Sequence, residues 1–188
     1  MYFLLLFITA SLLISIFSTN WPAKLFHHTI INNLARELHT EPQKHGMMFS
    51  NVYSEIITIY QEKDIRIRFI ENSIDSIKAT SGLEIRIREA AGVVMEFCRS
   101  NRNKKAWGDF KQFISGDNLV DSEWTILTTD PDRAKELWEC SQLTELLKTT
   151  PQLEQILINQ QEIIVQLKSC HSSELALNIL NRVVSCFL

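Results

Sequence analysis

From Met1 to Ala23 the chain carries no charged side chain, and this constrains it more than any other feature. The run Tyr2–Phe17 is almost wholly apolar. Carried on to Trp21 it reaches about 20 residues, the length that crosses roughly 30 Å of hydrocarbon as a helix. A cleaved secretory signal is the rival reading, but it calls for basic residues ahead of the run and a small-x-small cleavage site. No Lys or Arg precedes Lys24, and Ile16-Phe17-Ser18 is a poor site. The expectation is a retained, single-pass transmembrane helix over residues 1–21, with Trp21 in the interfacial aromatic belt. Lys24 and Arg36 come after the span and nothing basic precedes it. The positive-inside rule then places the rest of the chain in the cytoplasm.

The remainder of the 188 residues fits one small domain. At about 160 residues such a domain buries roughly 70% of its unfolded surface, so it folds without a disulfide or metal. Glycine occurs only five times, which leaves no glycine-rich phosphate cradle. The net charge of −3 gives no global pull towards nucleic acid. The cysteines Cys98, Cys140, Cys170 and Cys186 form no CxxC pair and read as small buried apolar residues.

Residues 22–45 read as a juxtamembrane helix and linker. Pro22 suits a first helical turn, and Leu25, Ile30, Ile31, Leu34, Ala35 and Leu38 recur at helical spacing. Pro42, Lys44 and Gly46 mark a break. Residues 46–188 read as the α+β domain proper. Strands are expected at 54–60, 64–70, 83–88 and about 93–97, with a turn at Gln61-Glu62-Lys63. The segments 64–70 and 83–88 alternate apolar and charged residues. Gly116-Asp117-Asn118 reads as a turn and 123–128 as a strand. Thr129 or Asp130 caps a helix with Pro131 in its first turn. That helix breaks near Cys140-Ser141 and a second ends before Pro151. A hairpin comes next, at 153–158 and 162–167, and Ser172 or Ser173 caps a closing helix. The fold class is therefore α+β: an N-terminal transmembrane helix, then a mostly antiparallel sheet with flanking helices and a closing C-terminal helix.

Candidate functional residues are surfaces rather than centres of chemistry. Arg66, Arg68, Arg86 and Arg88 alternate on two strands, so neighbouring strands would point all four guanidinium groups one way. Such a face suits anionic head groups or an acidic partner. Interspersed carboxylates would instead make it a solvated sheet face. The closing helix repeats apolar pairs, Leu175/Ala176, Ile179/Leu180, Val183/Val184 and Phe187/Leu188, on a face that something must cover. The loop Arg99, Arg102, Lys104, Lys105 with Trp107 is the densest basic stretch, yet short enough to be simply solvated. The histidines His27, His28, His39, His45 and His171 lack the three-or-four spacing of a helical metal pair. Asp130-Pro131-Asp132 reads as helix capping. No catalytic motif, cofactor fingerprint or metal set is present in the sequence.

Leu34-Ala35-Arg36-Glu37-Leu38, Gly116-Asp117 with Asp121, Trp124-Thr125-Ile126, Thr129-Asp130-Pro131, Ala134 and Leu137 fall in a recurring order. In that order the chain resembles families of bacterial membrane-anchored proteins described as domains of unknown function. The resemblance implies a hydrophobic N-terminal span and a β-rich middle and supplies no catalytic residues. The expected role is a membrane-tethered, non-enzymatic interaction domain. Its expected partners are membrane lipid through residues 1–21 and a protein, with no nucleic acid and no cofactor. The alternatives are an obligate subunit of a membrane complex and a small-ligand binder or enzyme with a scattered pocket.

Overall fold

The computed structural model describes residues 2–18, 21–45, 53–71, 81–89, 91–99 and 109–187. Two helices open the chain, α1 (Tyr2–Ser18) and α2 (Trp21–Glu37). Then come the strands β1 (Gln43–His45), β2 (Tyr53–Tyr60), β3 (Lys63–Glu71), β4 (Ser81–Arg88), β5 (Met95–Arg99) and β6 (Lys111–Phe113). The last third runs α3 (Asn118–Glu123), β7 (Trp124–Thr128), α4 (Pro131–Cys140), α5 (Leu143–Thr149), β8 (Leu153–Ile158), β9 (Ile163–Leu167) and α6 (Ser173–Cys186).

The nine strands form one sheet in the order β1-β2-β3-β4-β9-β8-β5-β7-β6. Every neighbouring pair is antiparallel. Alternation sorts the side chains between two faces. Ile56, Ile65, Ile67, Leu83, Ile85, Val165, Ile156, Phe97 and Ile126 share one face and join a single core with residues of α2, α4, α5 and α6. The other face carries Glu55, Arg66, Arg68, Glu84, Arg86 and Gln166, as expected of an antiparallel sheet with one solvated side.

Local chemistry explains the elements. The turn between β2 and β3 places Gln61 and Glu62 at φ of 49° and 66°, a mirror-image turn whose twist matches the flanking strands. Asp117 caps α3 by accepting from Leu119 and Val120, and Asp130 caps α4 by accepting from the Arg133 N–H. Ser172 caps α6 by accepting from Leu175. The Asn159 side chain closes the β8–β9 hairpin, accepting at 2.8 Å from both Gln161 and Glu162.

Two features differ from the sequence expectation. Residues 43–45, read as linker, are edge strand β1, and the turn at 116–118 leads into α3. The larger correction concerns the N-terminus. Among the described residues no helix is long and apolar enough to cross a membrane. The described part of the apolar run is α1, 17 residues over Tyr2–Ser18. At 1.5 Å per residue α1 is about 25 Å long, short of the roughly 30 Å of a hydrocarbon core. The transmembrane helix, the single-pass membrane assignment and the orientation derived from it are therefore overturned, while the α+β class stands. The second helix belongs to the packed unit: α2 buries Ile30, Ile31, Leu34 and Ala35 and packs on α6 and β2.

Candidate interaction surfaces

The arginine face is assembled as the alternation implied. β3 and β4 are neighbours, with Arg66 opposite Arg86, Arg68 opposite Glu84 and Asp64 opposite Arg88. Two like charges directly opposite would repel. Carboxylates interleaved with them resolve this. Glu55, 1% exposed, accepts from the Arg66 Nε at 2.6 Å, and the His45 Nε2 stands 2.6 Å from its other oxygen. Glu84, 3% exposed, accepts from Arg68 at 2.9 Å and Arg86 at 2.8 Å. Arg86 also reaches Glu162 at 3.3 Å. Burial pushes the Glu84 carboxyl up, but hydrogen bonding and charge from Arg86 and Arg68 outweigh it and hold the group below the ordinary carboxylate range. The same bond to Glu84 raises Arg86. Arg88, with a side chain 81% exposed, stands 3.7 Å from Asp64. The face is a ladder of matched charges.

The closing-helix stripe has a different fate. Ile179 and Val183 are fully buried, and Leu175 and Phe187 are half-buried against the same core. α6 lies against α2 and α5, and the Tyr60 hydroxyl donates to Asn181. The cover this helix requires is supplied by the chain itself.

The remaining sequence candidates are dispersed. Arg99 stacks on Trp124 at 5.3 Å and lies 3.8 Å from Glu123. Arg102, Lys104, Lys105 and Trp107 lie outside the described residues. His27 stacks on Phe69 with ring centres 4.1 Å apart, and the His28 Nδ1 is 2.8 Å from the Ser54 hydroxyl. Cys98, Cys170 and Cys186 are buried and Cys140 is exposed. Burial pushes the Cys170 thiol up and the Cys186 thiol up to about 11, so neither offers a thiolate at neutral pH. A cavity of about 120 Å³ between α3, α5 and β7 is lined by Leu119, Val120, Glu123, Trp124, Leu147 and Lys148. That is well below the several hundred cubic ångströms of a usual ligand pocket.

The surface that sequence reasoning did not locate in this form is α1 itself. Tyr2, Phe3, Leu5, Leu6, Phe7 and Ile8 are all at least half exposed, at 91, 92, 57, 72, 72 and 50%. Positions this closely consecutive cover every side of a helix. On α2, Leu25 and Phe26 are 50% and 46% exposed. The Thr9 hydroxyl donates to the carbonyls of Leu5 and Leu6 at 2.9 and 3.0 Å, so its polar group is satisfied inside the helix.

The fold and these surfaces define a class: an open antiparallel sheet with helices packed on one face, a ladder of paired charges on the other, and an apolar helix near the N-terminus. The crystal structure of the mycobacterial trehalose monomycolate transport factor A, TtfA, shares this fold. The TM-score is 0.59 at 12% identity, over 82% of this chain and 90% of that one. No family model and no curated protein matches the chain.

Proposed function

We propose that the chain is a non-enzymatic interaction domain that works at a lipid surface, where α1 enters the lipid without crossing it. The observation that carries this reading is the exposure of the first two turns of α1, Tyr2 to Ile8, on every side. A protein groove covers one side of a helix, whereas lipid surrounds it. Burial of each large apolar side chain contributes about 1.5–3 kcal/mol, so even a few inserted residues give firm association. The internally bonded Thr9 hydroxyl fits the same environment, in which unsatisfied polar groups are costly.

The non-enzymatic part is supported by how the ionisable groups are used. The Glu84 carboxylate is held by two guanidinium groups, and the buried thiols Cys170 and Cys186 are raised. The structural neighbour, named as a transport factor, is a precedent for this fold in a role other than catalysis. At 12% identity the likeness carries the fold alone.

The test is flotation of the full-length chain with phosphatidylcholine vesicles, in low and high salt. The wild-type chain is expected to float in both, because apolar insertion is not screened. The paired substitution Leu6→Asp and Phe7→Asp, at exposed positions, is expected to leave the fold intact and abolish flotation. A wild-type chain that stays at the bottom of the gradient, or a double variant that floats as well, refutes the reading.

A further inference from the structure

The open edges of the sheet are not alike. β1 and β6 are its outermost strands, and β2 projects beyond β1. Gln43–His45 covers only Tyr53–Glu55. Ile56–Tyr60 therefore pairs with β3 on one side and, among the described residues, with no strand on the other. Pro42, next before β1, has no N–H with which to continue the pairing. An open strand edge invites pairing with another chain, and natural sheets blunt such edges with short strands, lysine or proline. β1 and β6 are blunted in this way: each has three residues and carries an exposed lysine, Lys44 or Lys111. The open part of β2 is not. Ile56-Ile57-Thr58-Ile59-Tyr60 holds no charge, and every residue in it is a good strand former.

Alternation divides this segment between the two faces. Ile56 is buried in the core, and Tyr60 packs against it. Ile57 and Ile59 stand on the face of the charge ladder, 45% and 71% exposed, opposite Arg66 and Asp64 of β3.

The segment is its own complement. A second copy of β2 can lie antiparallel along this edge about a two-fold axis through Thr58. Ile57 then meets Ile59 of the second copy, Thr58 meets Thr58, and Ile56 meets Tyr60. Every side chain keeps its face. The next registers that preserve the faces lie two residues away. One needs Ser54 and Glu55, which β1 already holds, and the other needs Gln61 and Glu62, which sit at positive φ in the turn. Only the register centred on Thr58 uses the whole open segment and nothing else. The flanking charges match as well. Each row across the junction runs from Arg66 through Ile57 to Ile59 and Asp64 of the second copy, so opposite charges border an apolar pair and no like charges face each other.

We infer that the open edge of β2 is the interface for a second copy of this chain, joined antiparallel through Ile56–Tyr60 into one continuous sheet. The contact is isologous, so it closes at two copies. Five residues a side make a small interface, and the dimer forms reversibly with concentration. The inference is independent of the lipid reading of α1.

The experiment uses the full-length chain carrying Leu6→Asp and Phe7→Asp, so that association through α1 does not contribute. Sedimentation equilibrium should show monomer and dimer, and adding Ile59→Lys should weaken the dimer by about tenfold or more, because the substitution enters the junction twice. Ile59 is exposed, so the circular dichroism spectrum and melting transition should not change. The register is read by cross-linking in a Cys140→Ser background, which removes the exposed thiol. Under mild oxidation a mixture of Ile57→Cys and Ile59→Cys chains should form interchain disulfides, and each chain alone should form far fewer. A monomer at every concentration overturns the inference and leaves the edge to an extended segment of another protein. A dimer that survives Ile59→Lys, or disulfides that form as readily in either chain alone, places the contact elsewhere or in another register and also overturns it.

Discussion

α6 and α1 are both rich in apolar residues, and they end in opposite situations. α6 confines its apolar residues to one stripe: Ala176, Ile179, Leu180, Val183 and Val184 are buried, while Glu174, Asn178 and Ser185 are exposed. A stripe can be satisfied by one neighbour, and α2, α5 and the sheet provide it. The described side chains at the start of α1 show no such division. Tyr2, Phe3, Leu5, Leu6, Phe7 and Ile8 are exposed on all sides, so no single neighbour within the chain could cover them. The distribution of apolar residues around a helix, more than their number, decides whether a chain can bury that helix by itself.

The sharpest way to break this comparison is to place the same charge in each helix. Val183→Asp puts a carboxylate at a position with no exposure and is expected to cost more than about 4 kcal/mol, enough to abolish the cooperative thermal transition. A Val183→Asp chain that retains its melting transition would mean that α6 is not a core element.

Next in size is the charge ladder. Glu84→Gln leaves the Arg68 and Arg86 guanidinium groups without their shared carboxylate. Both arginines are about one-third exposed, so solvent screens part of the loss, and about 1–2 kcal/mol is expected in chemical denaturation. The folded-state value of Glu84 lies below its ordinary 4.5. Its contribution is therefore fully present above pH 4.5 and lost as the pH falls through the folded-state value. The wild-type chain should lose stability along that acid limb more steeply than Glu84→Gln, and equal slopes would show that Glu84 is not the titrating group.

Smaller effects probe how α6 is held. Ser172→Ala removes its N-cap and is expected to cost about 1 kcal/mol by denaturant midpoint. Tyr60→Phe removes the bond that ties β2 to Asn181 and should also cost about 1 kcal/mol. Smallest of all, Leu6→Asp in α1 should change stability by less than about 0.5 kcal/mol while weakening vesicle binding.

Much of this contrast could be read along the chain, and much could not. The alternation of Asp64 to Phe69 and Leu83 to Arg88 identified β3 and β4 and the shared direction of their arginines. The capping candidates Thr129 or Asp130 and Ser172 or Ser173 marked the starts of α4 and α6, and Asp130 and Ser172 are the caps. β1 escaped notice because Gln43-Lys44-His45 has no apolar rhythm, and its strand character comes from pairing with Tyr53–Glu55. α3 is a single short turn with one buried residue, Val120, too little for a periodic signal. The strand order was not legible: β9 sits between β4 and β8, and β5 between β8 and β7, because alternation records which face a residue takes and says nothing of its neighbour.

The two surfaces show the same limit. The stripe on α6 announced that it needed a cover, but Ile31 and Leu34 of α2 could not be named as part of it, being about 150 residues away in sequence. The arginines were visible while the geometry of Glu55, Glu84 and Glu162 was not, and that geometry turns a basic face into a neutral ladder. At the N-terminus, hydropathy registered an apolar run of about 20 residues, whereas among the described residues no helix is long and apolar enough to cross a membrane.

Hydrogen–deuterium exchange of the full-length chain, with and without phosphatidylcholine vesicles, tests the contrast between the two helices most directly. Vesicles are expected to slow exchange in α1 and to leave α6 unchanged. Slowed exchange in α6, or no change in α1, would contradict a lipid-facing α1 and a self-covered α6.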